Sequence, residues 1–221
     1  MDETRTDQLS AVAAISDPLR RALFEFVSRS TGAVSREDAA RATGMARSTA
    51  AFHLDRLVDE GVLETEFKRL SGKSGPGAGR PSKLYRRAGG EIAVSFPVRR
   101  YDLAGDMLAA AVAESDRTGE PVRAVLATIS AATGREIGAS AGSLDAALES
   151  CGYEPRDDGA GGIVLANCPF HKLAANHTDV ICSANVALLQ GVAEGASETE
   201  RTVEFVEPTN GCCCVRVTAA S

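Results

Sequence analysis

No stretch of this chain approaches twenty uninterrupted apolar residues, which excludes a membrane-spanning helix of ordinary length. The start, Met1-Asp2-Glu3-Thr4-Arg5, lacks the basic run and apolar core of a secretory signal, so a cytoplasmic protein is expected. The paired Cys-x-x-Cys motifs of common zinc modules are missing, and no sustained heptad supports a long coiled coil. Cys168 or Cys182 as nucleophile with His171 or His177 as base would be the ingredients of an enzyme. No supporting acid or amide, oxyanion site or substrate pocket accompanies them, so an enzyme is not expected.

What is present is ordinary in bulk. The 221 residues are 44% hydrophobic and 24% charged, enough for two small domains or one medium one. The net charge of −6 is unevenly spread. Residues 1–90 carry 15 Lys/Arg against 12 Asp/Glu, while residues 91–221 carry 9 against 18. Phe67–Arg87 holds seven basic residues and no acidic one. One end suits a polyanion and the other repels it.

The expected fold is α+β in three parts. These are an N-terminal winged helix-turn-helix over 1–90, a helical linker or dimerisation segment over 91–140, and a small α+β domain with antiparallel hairpins over 141–221. Asp17-Pro18 signals a helix start, a capping side chain followed by proline at the first helical position. Leu19, Ala22, Leu23, Phe26 and Val27 then form one apolar stripe. Ser35, Glu37 and Asp38 open a second helix that ends at Gly44. A third runs from about Arg47 to Glu60 and stops at Gly61. Its Ala50, Leu54, Leu57 and Val58 face a core, while Arg47, Ser48, Thr49, Phe52, His53 and Arg56 are free for phosphates and base edges.

A strand over Val62–Lys68 and a partner over Lys83–Arg86 flank a basic, glycine-rich loop, the pattern of a wing. Lys73 and Arg80 in that loop, with Lys83, are the candidate wing contacts to DNA. Gly72-Lys73-Ser74 lacks the preceding glycine and the strand-to-helix setting of a phosphate-binding P-loop. Asp17-Pro18-Leu19-Arg20-Arg21, Ser48-Thr49 with His53-Leu54 and Leu57, and Gly79-Arg80-Pro81-Ser82-Lys83-Leu84-Tyr85 resemble the ArsR-type winged-helix regulators. The resemblance covers roughly residues 8–90. It implies a homodimer on an inverted-repeat operator in double-stranded DNA, read by the helix from Arg47. Ala46 stands where that family often places a serine or threonine cap.

Helices are expected over Arg99–Arg117 and Pro121–Ile137, as a dimer contact, as core of the second domain, or as both. Beyond Ser143, a short helical stripe (Leu144, Ala147, Leu148, Cys151) precedes strands over Tyr153–Arg156 and Ile163–Asn167. A helix over Asp179–Glu194 and a strand over Thr202–Glu207 follow. Asn210-Gly211 then signals a hairpin into Cys212–Val217.

The candidate chemistry lies in Cys168-Pro169-Phe170-His171, His177, Cys182 and Cys212-Cys213-Cys214. Thiolates converging from such element ends can bind a soft metal or an iron–sulfur cluster. Cys182, expected in the first turn of a helix, should ionise easily. Strand alternation turns Cys213 inward, which makes it the preferred third ligand, with Cys212 and Cys214 as replacements if a bulge intervenes. Alternation also places Val164 on the face of Cys168, where with Phe170 and Ile181 it would form a dry wall.

The spacing of Cys168, Cys182 and Cys213 resembles the C-terminal half of the SufR group of iron–sulfur regulators. It implies a 4Fe–4S cluster whose presence changes DNA affinity. The fourth ligand stays open, with His171 and His177 as candidates. Zinc held by Cys168, His171, Cys182 and Cys213 is the alternative metal. A regulator binding an organic ligand, with incidental cysteines, is a further one.

Overall fold

A computed structural model of the chain describes residues 3–69, 81–198, 201–207 and 213–219. It divides into two compact units, residues 1–94 and 95–221.

The first unit runs α1 (Glu3–Ser16), α2 (Pro18–Arg29), β1 (Val34–Ser35), α3 (Arg36–Thr43), α4 (Arg47–Asp59), β2 (Leu63–Lys68) and β3 (Ser82–Arg87). The Asp17 carboxylate accepts from the backbone N–H groups of Leu19 and Arg20, both at 3.0 Å, and Pro18 occupies the first helical position. Ser35 caps α3 by accepting from the Asp38 N–H, and Gly44 ends it in the left-handed conformation at φ 69°. Ala46 begins α4 with no side-chain cap. The three strands form an antiparallel sheet in the order β1-β3-β2, with Leu63 opposite Arg87 and Lys68 opposite Ser82. Leu23, Val27, Ala39, Ala50, Leu54, Leu57, Leu63 and Tyr85 close the core.

Two features differ from expectation. Helix α1 precedes the Asp17 start and buries Ala11 and Ala14, an alanine-rich segment with no strong apolar stripe to announce it. Leu19 is 45% exposed, because the buried side of α2 is defined by Leu23 and Val27.

The second unit comprises α5 (Tyr101–Thr118), α6 (Val122–Ala141), α7 (Leu144–Ser150), β4 (Pro155–Asp157), β5 (Ile163–Leu165), α8 (His171–Asn176), α9 (Thr178–Gly195), β6 (Arg201–Phe205) and β7 (Val215–Ala219). Its antiparallel sheet has the order β4-β5-β7-β6. Leu103, Met107, Ala111, Val125 and Leu126 of α5 and α6 share one core with Leu148, Leu165, Phe170, Leu188 and Val215. The helices expected over 91–140, as a dimer contact, as core of the second domain or as both, share the core of the second unit.

Helices α6 and α9 pack backbone to backbone. A Cβ on Gly134 would stand 2.0 Å from the Leu188 carbonyl oxygen, and one on Gly138 would stand 2.3 Å from that of Val192. Gly191 and Gly195 meet the Ala131 and Arg135 carbonyl oxygens at 2.1 and 2.2 Å in the same sense. Paired glycines four residues apart on both helices make this approach possible. Among the described residues, no helix is long and apolar enough to cross a membrane.

Candidate DNA-reading face and thiol centre

In the first unit, α4 lies between the α3 turn and the β2–β3 hairpin, the arrangement of a winged helix-turn-helix. Arg47 and Ser48 are exposed at its N-terminal tip, Thr49 is half-buried beside them, and Phe52 is 67% exposed. Arg47 pairs with Glu37 at 2.5 Å, so a phosphate would have to displace a carboxylate. His53 is half-buried, its ring edge-on to Phe52 at 5.4 Å, and its Nδ1 is buried with no hydrogen-bond partner among the described residues.

Lys83 is tied down. Its ammonium donates to Asp55 Oδ1 at 2.7 Å, where the Tyr85 hydroxyl also donates at 2.7 Å. Partial burial works against ionising Asp55, but the hydrogen bonds from Lys83 and Tyr85 outweigh it and lower its pKa. Burial and the bond to Asp55 raise the Tyr85 phenol above its ordinary value. Lys83 therefore braces the wing strand against the reader helix. Lys73 and Arg80 lie outside the described residues.

In the second unit, Cys168 sits in the loop after β5, Cys182 in α9, and Cys213 and Cys214 just before β7, all four buried. The thiol of Cys213 lies against those of Cys168 and Cys214, and that of Cys214 against Cys182. Backbone bonds hold each segment. The Cys213 N–H donates to the Leu165 carbonyl oxygen at 2.9 Å, and the Val206 N–H to that of Cys214 at 2.9 Å. The Cys168 carbonyl oxygen accepts from Arg99 Nη1 at 2.8 Å and from the His171 N–H at 3.1 Å. Buried Asn167 accepts from the same Arg99 nitrogen at 2.5 Å, and donates to the Val98 and Gly152 carbonyl oxygens at 2.9 and 2.7 Å.

Two of the thiols are eased toward ionisation and two are held back from it. A hydrogen bond from Cys213 is the main cause that lowers Cys214 to about 6, with Cys182 and Asn185 adding to it against the effect of burial. Cys168 is lowered by its bond from Cys213. Cys213, which gives these bonds, is pushed far up. Cys182 is raised to about 12 by burial and by its bond to Cys214.

This corrects the expectation that Cys182 ionises easily. Helix α9 begins at Thr178, so Cys182 lies past the first turn, and desolvation outweighs the helix dipole there. The preference for Cys213 over Cys214 also changes, because a bend at Cys214 breaks the alternation and both side chains are buried. Strand β5 ends at Leu165, so alternation does not reach Cys168. Leu165 is fully buried in the core that also holds Phe170 and Ile181, whereas Val164 is half-buried.

The histidines are not brought to the thiols. His171 opens the short helix α8 with an exposed side chain, and His177, also exposed, joins α8 to α9. Cys212 lies outside the described residues. Cys151 is buried elsewhere in the same core, and burial raises its thiol to about 11. Among the described residues, no three His, Cys, Asp or Glu side chains are arranged to hold a single metal ion. Sequence reasoning missed the buried pair Tyr153 and Asn185, whose signal was a lone amide on the apolar stripe of α9.

A cleft of about 390 Å³ also opens between the start of α7 and the β4–β5 turn, lined by Asp145, Glu149, Arg156, Asp157 and Arg201 among others.

Residues 15–66 match the family model described as a helix-turn-helix domain, from the end of α1 into β2. Comparison with curated proteins and with solved structures gave no match. The N-terminal unit carries a helix-turn-helix domain, and this supports a winged-helix, DNA-binding transcription regulator.

Proposed function

We propose that this regulator binds an inverted-repeat operator as a homodimer, and that a 4Fe–4S cluster held by cysteines of the second unit sets its affinity for DNA. The observation that carries the reading is the meeting of Cys168, Cys182, Cys213 and Cys214, contributed by three separated segments of chain. The donor set fits such a cluster: four soft sulfurs, all buried, in the same hydrophobic core as Leu165, Phe170 and Ile181. The thiols form a line of neighbours, whereas a single zinc ion needs four donors converging on one point. Cys214 is the fourth ligand in this reading, in place of His171 or His177.

When bound, the cluster supplies a redox-active, oxidant-labile group. The chain's own residues do the rest. Arg99 and Asn167 hold the Cys168 loop, while burial limits access of water to the sulfurs. Arg47, Ser48, Thr49 and Phe52 meet the duplex, with Lys73 and Arg80 on the wing and the brace of Lys83 keeping the wing strand in place.

Anaerobic purification tests the proposal. The expected protein is brown, contains about four irons and four sulfides per chain, and changes operator affinity when the cluster is removed. Single Cys168→Ser, Cys182→Ser, Cys213→Ser and Cys214→Ser variants should lose iron, whereas His171→Ala should keep it. Colourless protein with stoichiometric zinc would replace the cluster by the alternative metal. Metal-free protein with wild-type DNA binding in all four serine variants would end the sensor reading.

A further inference from the structure

Asn185 is a lone amide on the apolar face of α9, with Ile181, Cys182, Leu188, Leu189 and Val192 around it at helical spacing. It is 1% exposed, and both ends of its amide are engaged. The buried Tyr153 hydroxyl donates to Oδ1. Nδ2 donates to Cys213 Sγ at 3.2 Å, and the same amide reaches Cys214.

The geometry fixes which way the amide points. Burial holds the Tyr153 phenol in its protonated form, so it remains a donor at ordinary pH. A donor facing one end of an amide selects the carbonyl oxygen there and turns the NH₂ group the other way, toward the sulfurs. Reversing Asn185 would turn its NH₂ group onto the Tyr153 hydroxyl, leaving that hydroxyl without an acceptor and the Cys213 sulfur without its amide donor. Tyr153 lies ahead of β4 and Asn185 in the second half of the unit, so the arrangement comes from the tertiary fold.

We infer that Asn185, oriented by Tyr153, is a positioning residue that donates a hydrogen bond to the sulfur of Cys213 and thereby raises the reduction potential of the group the cysteines hold. The inference rests on the 4Fe–4S reading above. Hydrogen bonds to ligand sulfurs stabilise the more electron-rich, reduced state of such a group and shift its potential upward. Tyr153 touches no ligand in this role and acts only through the amide.

The test uses the full chain, loaded anaerobically, as wild type, Asn185→Leu and Tyr153→Phe. Iron, sulfide and the reduction potential are measured in each. At equal iron and sulfide content, Asn185→Leu should lower the reduction equilibrium constant about tenfold, about 59 mV for a one-electron couple. Tyr153→Phe should move it in the same direction by less, because the amide loses its orientation but keeps its N–H. A merely structural pair would change thermal stability and leave the potential of the loaded protein in place. Equal potentials in all three proteins overturn the inference and leave the cluster intact. Wild type without iron and sulfide overturns the reading beneath it as well. Should Asn185→Leu fail to fold, Tyr153→Phe decides: a lowered potential supports the inference, an unmoved one overturns it.

Discussion

The two units solve the problem of polar groups in opposite ways. The first keeps its charges outside, with pairs such as Arg29–Glu25, Arg41–Asp38 and Arg86–Glu64 on its surface, and among its described residues the buried ones with a polar side-chain group are Ser35 and Tyr85. The second buries Ser130, Asn167 and Asn185 together with five free cysteines. Exposed pairs of the first kind contribute little to stability, roughly 0–1 kcal/mol each. Buried amides and thiols require partners, since an unpaired one costs about 1–3 kcal/mol. The first unit is thus a stable apolar core presenting a charged surface, and the second gives up part of its core to a polar constellation. That division suits the DNA reader and the sensor proposed above.

The contrast can be broken most directly at the thiols. Cys213→Ser should abolish iron and sulfide binding by the second unit, while the thermal transition of the first unit stays in place. Differential scanning calorimetry alongside metal analysis checks both halves. A shift of both transitions would mean the units do not answer separately.

Glycine substitutions sharpen the comparison. Gly134→Ala pushes a methyl group into the Leu188 carbonyl oxygen, 2.0 Å away, and should cost about 1–3 kcal/mol in the second unit as the helices part. Gly32→Ala in the first unit meets nothing within 4 Å and should stay within about 0.5 kcal/mol of wild type. Urea denaturation of both variants reads the difference, and similar midpoints would contradict the close crossing.

Arg47→Ala should weaken operator binding and reduce the slope of log affinity against log salt by about 1. Glu37→Gln should act in the opposite direction, because it frees the same guanidinium from its carboxylate. Fluorescence anisotropy across a salt series measures both. Unaltered binding in both variants would remove Arg47 from the DNA-reading face.

The smallest expected effect concerns pH. Asp158 accepts from the Ala160 and Gly162 N–H groups, each at 2.8 Å, and pairs with Arg216. These backbone bonds, with Arg216, hold its pKa near 2. A carboxyl depressed in the folded state stabilises above its unfolded pKa and loses that contribution as pH falls through the folded one. The advantage of wild type over Asp158→Asn should be full at pH 7 and shrink between about pH 4 and pH 2. It should appear only in the transition of the second unit.

Much of the first unit was legible because its signals are local. Asp17-Pro18, Ser35, Gly44 and Gly61 each act on a neighbouring turn, and the structure has all four at helix boundaries. Helix α1 was not legible, since alanines favour a helix without declaring a buried side. In the second unit the elements were legible except for the short helix α8, and the centre only partly so. Element ends, strand alternation and the resemblance pointed to Cys168, Cys182 and Cys213. That Cys214 is buried with them while the histidines are exposed depends on the bend before β7 and on α8, which are set by the tertiary fold. The link from Tyr153 to Asn185 joins residues 32 positions apart and leaves no periodic trace.

Where α6 and α9 cross, there are no side chains to rotate out of the way, only main chain against main chain. Such a seam behaves as a weld. The α9 helix, which carries Cys182 and Asn185, is thereby denied sideways give, and it serves as the anvil against which the hydrogen-bonded Cys168 loop and the approach to β7 set the other sulfurs.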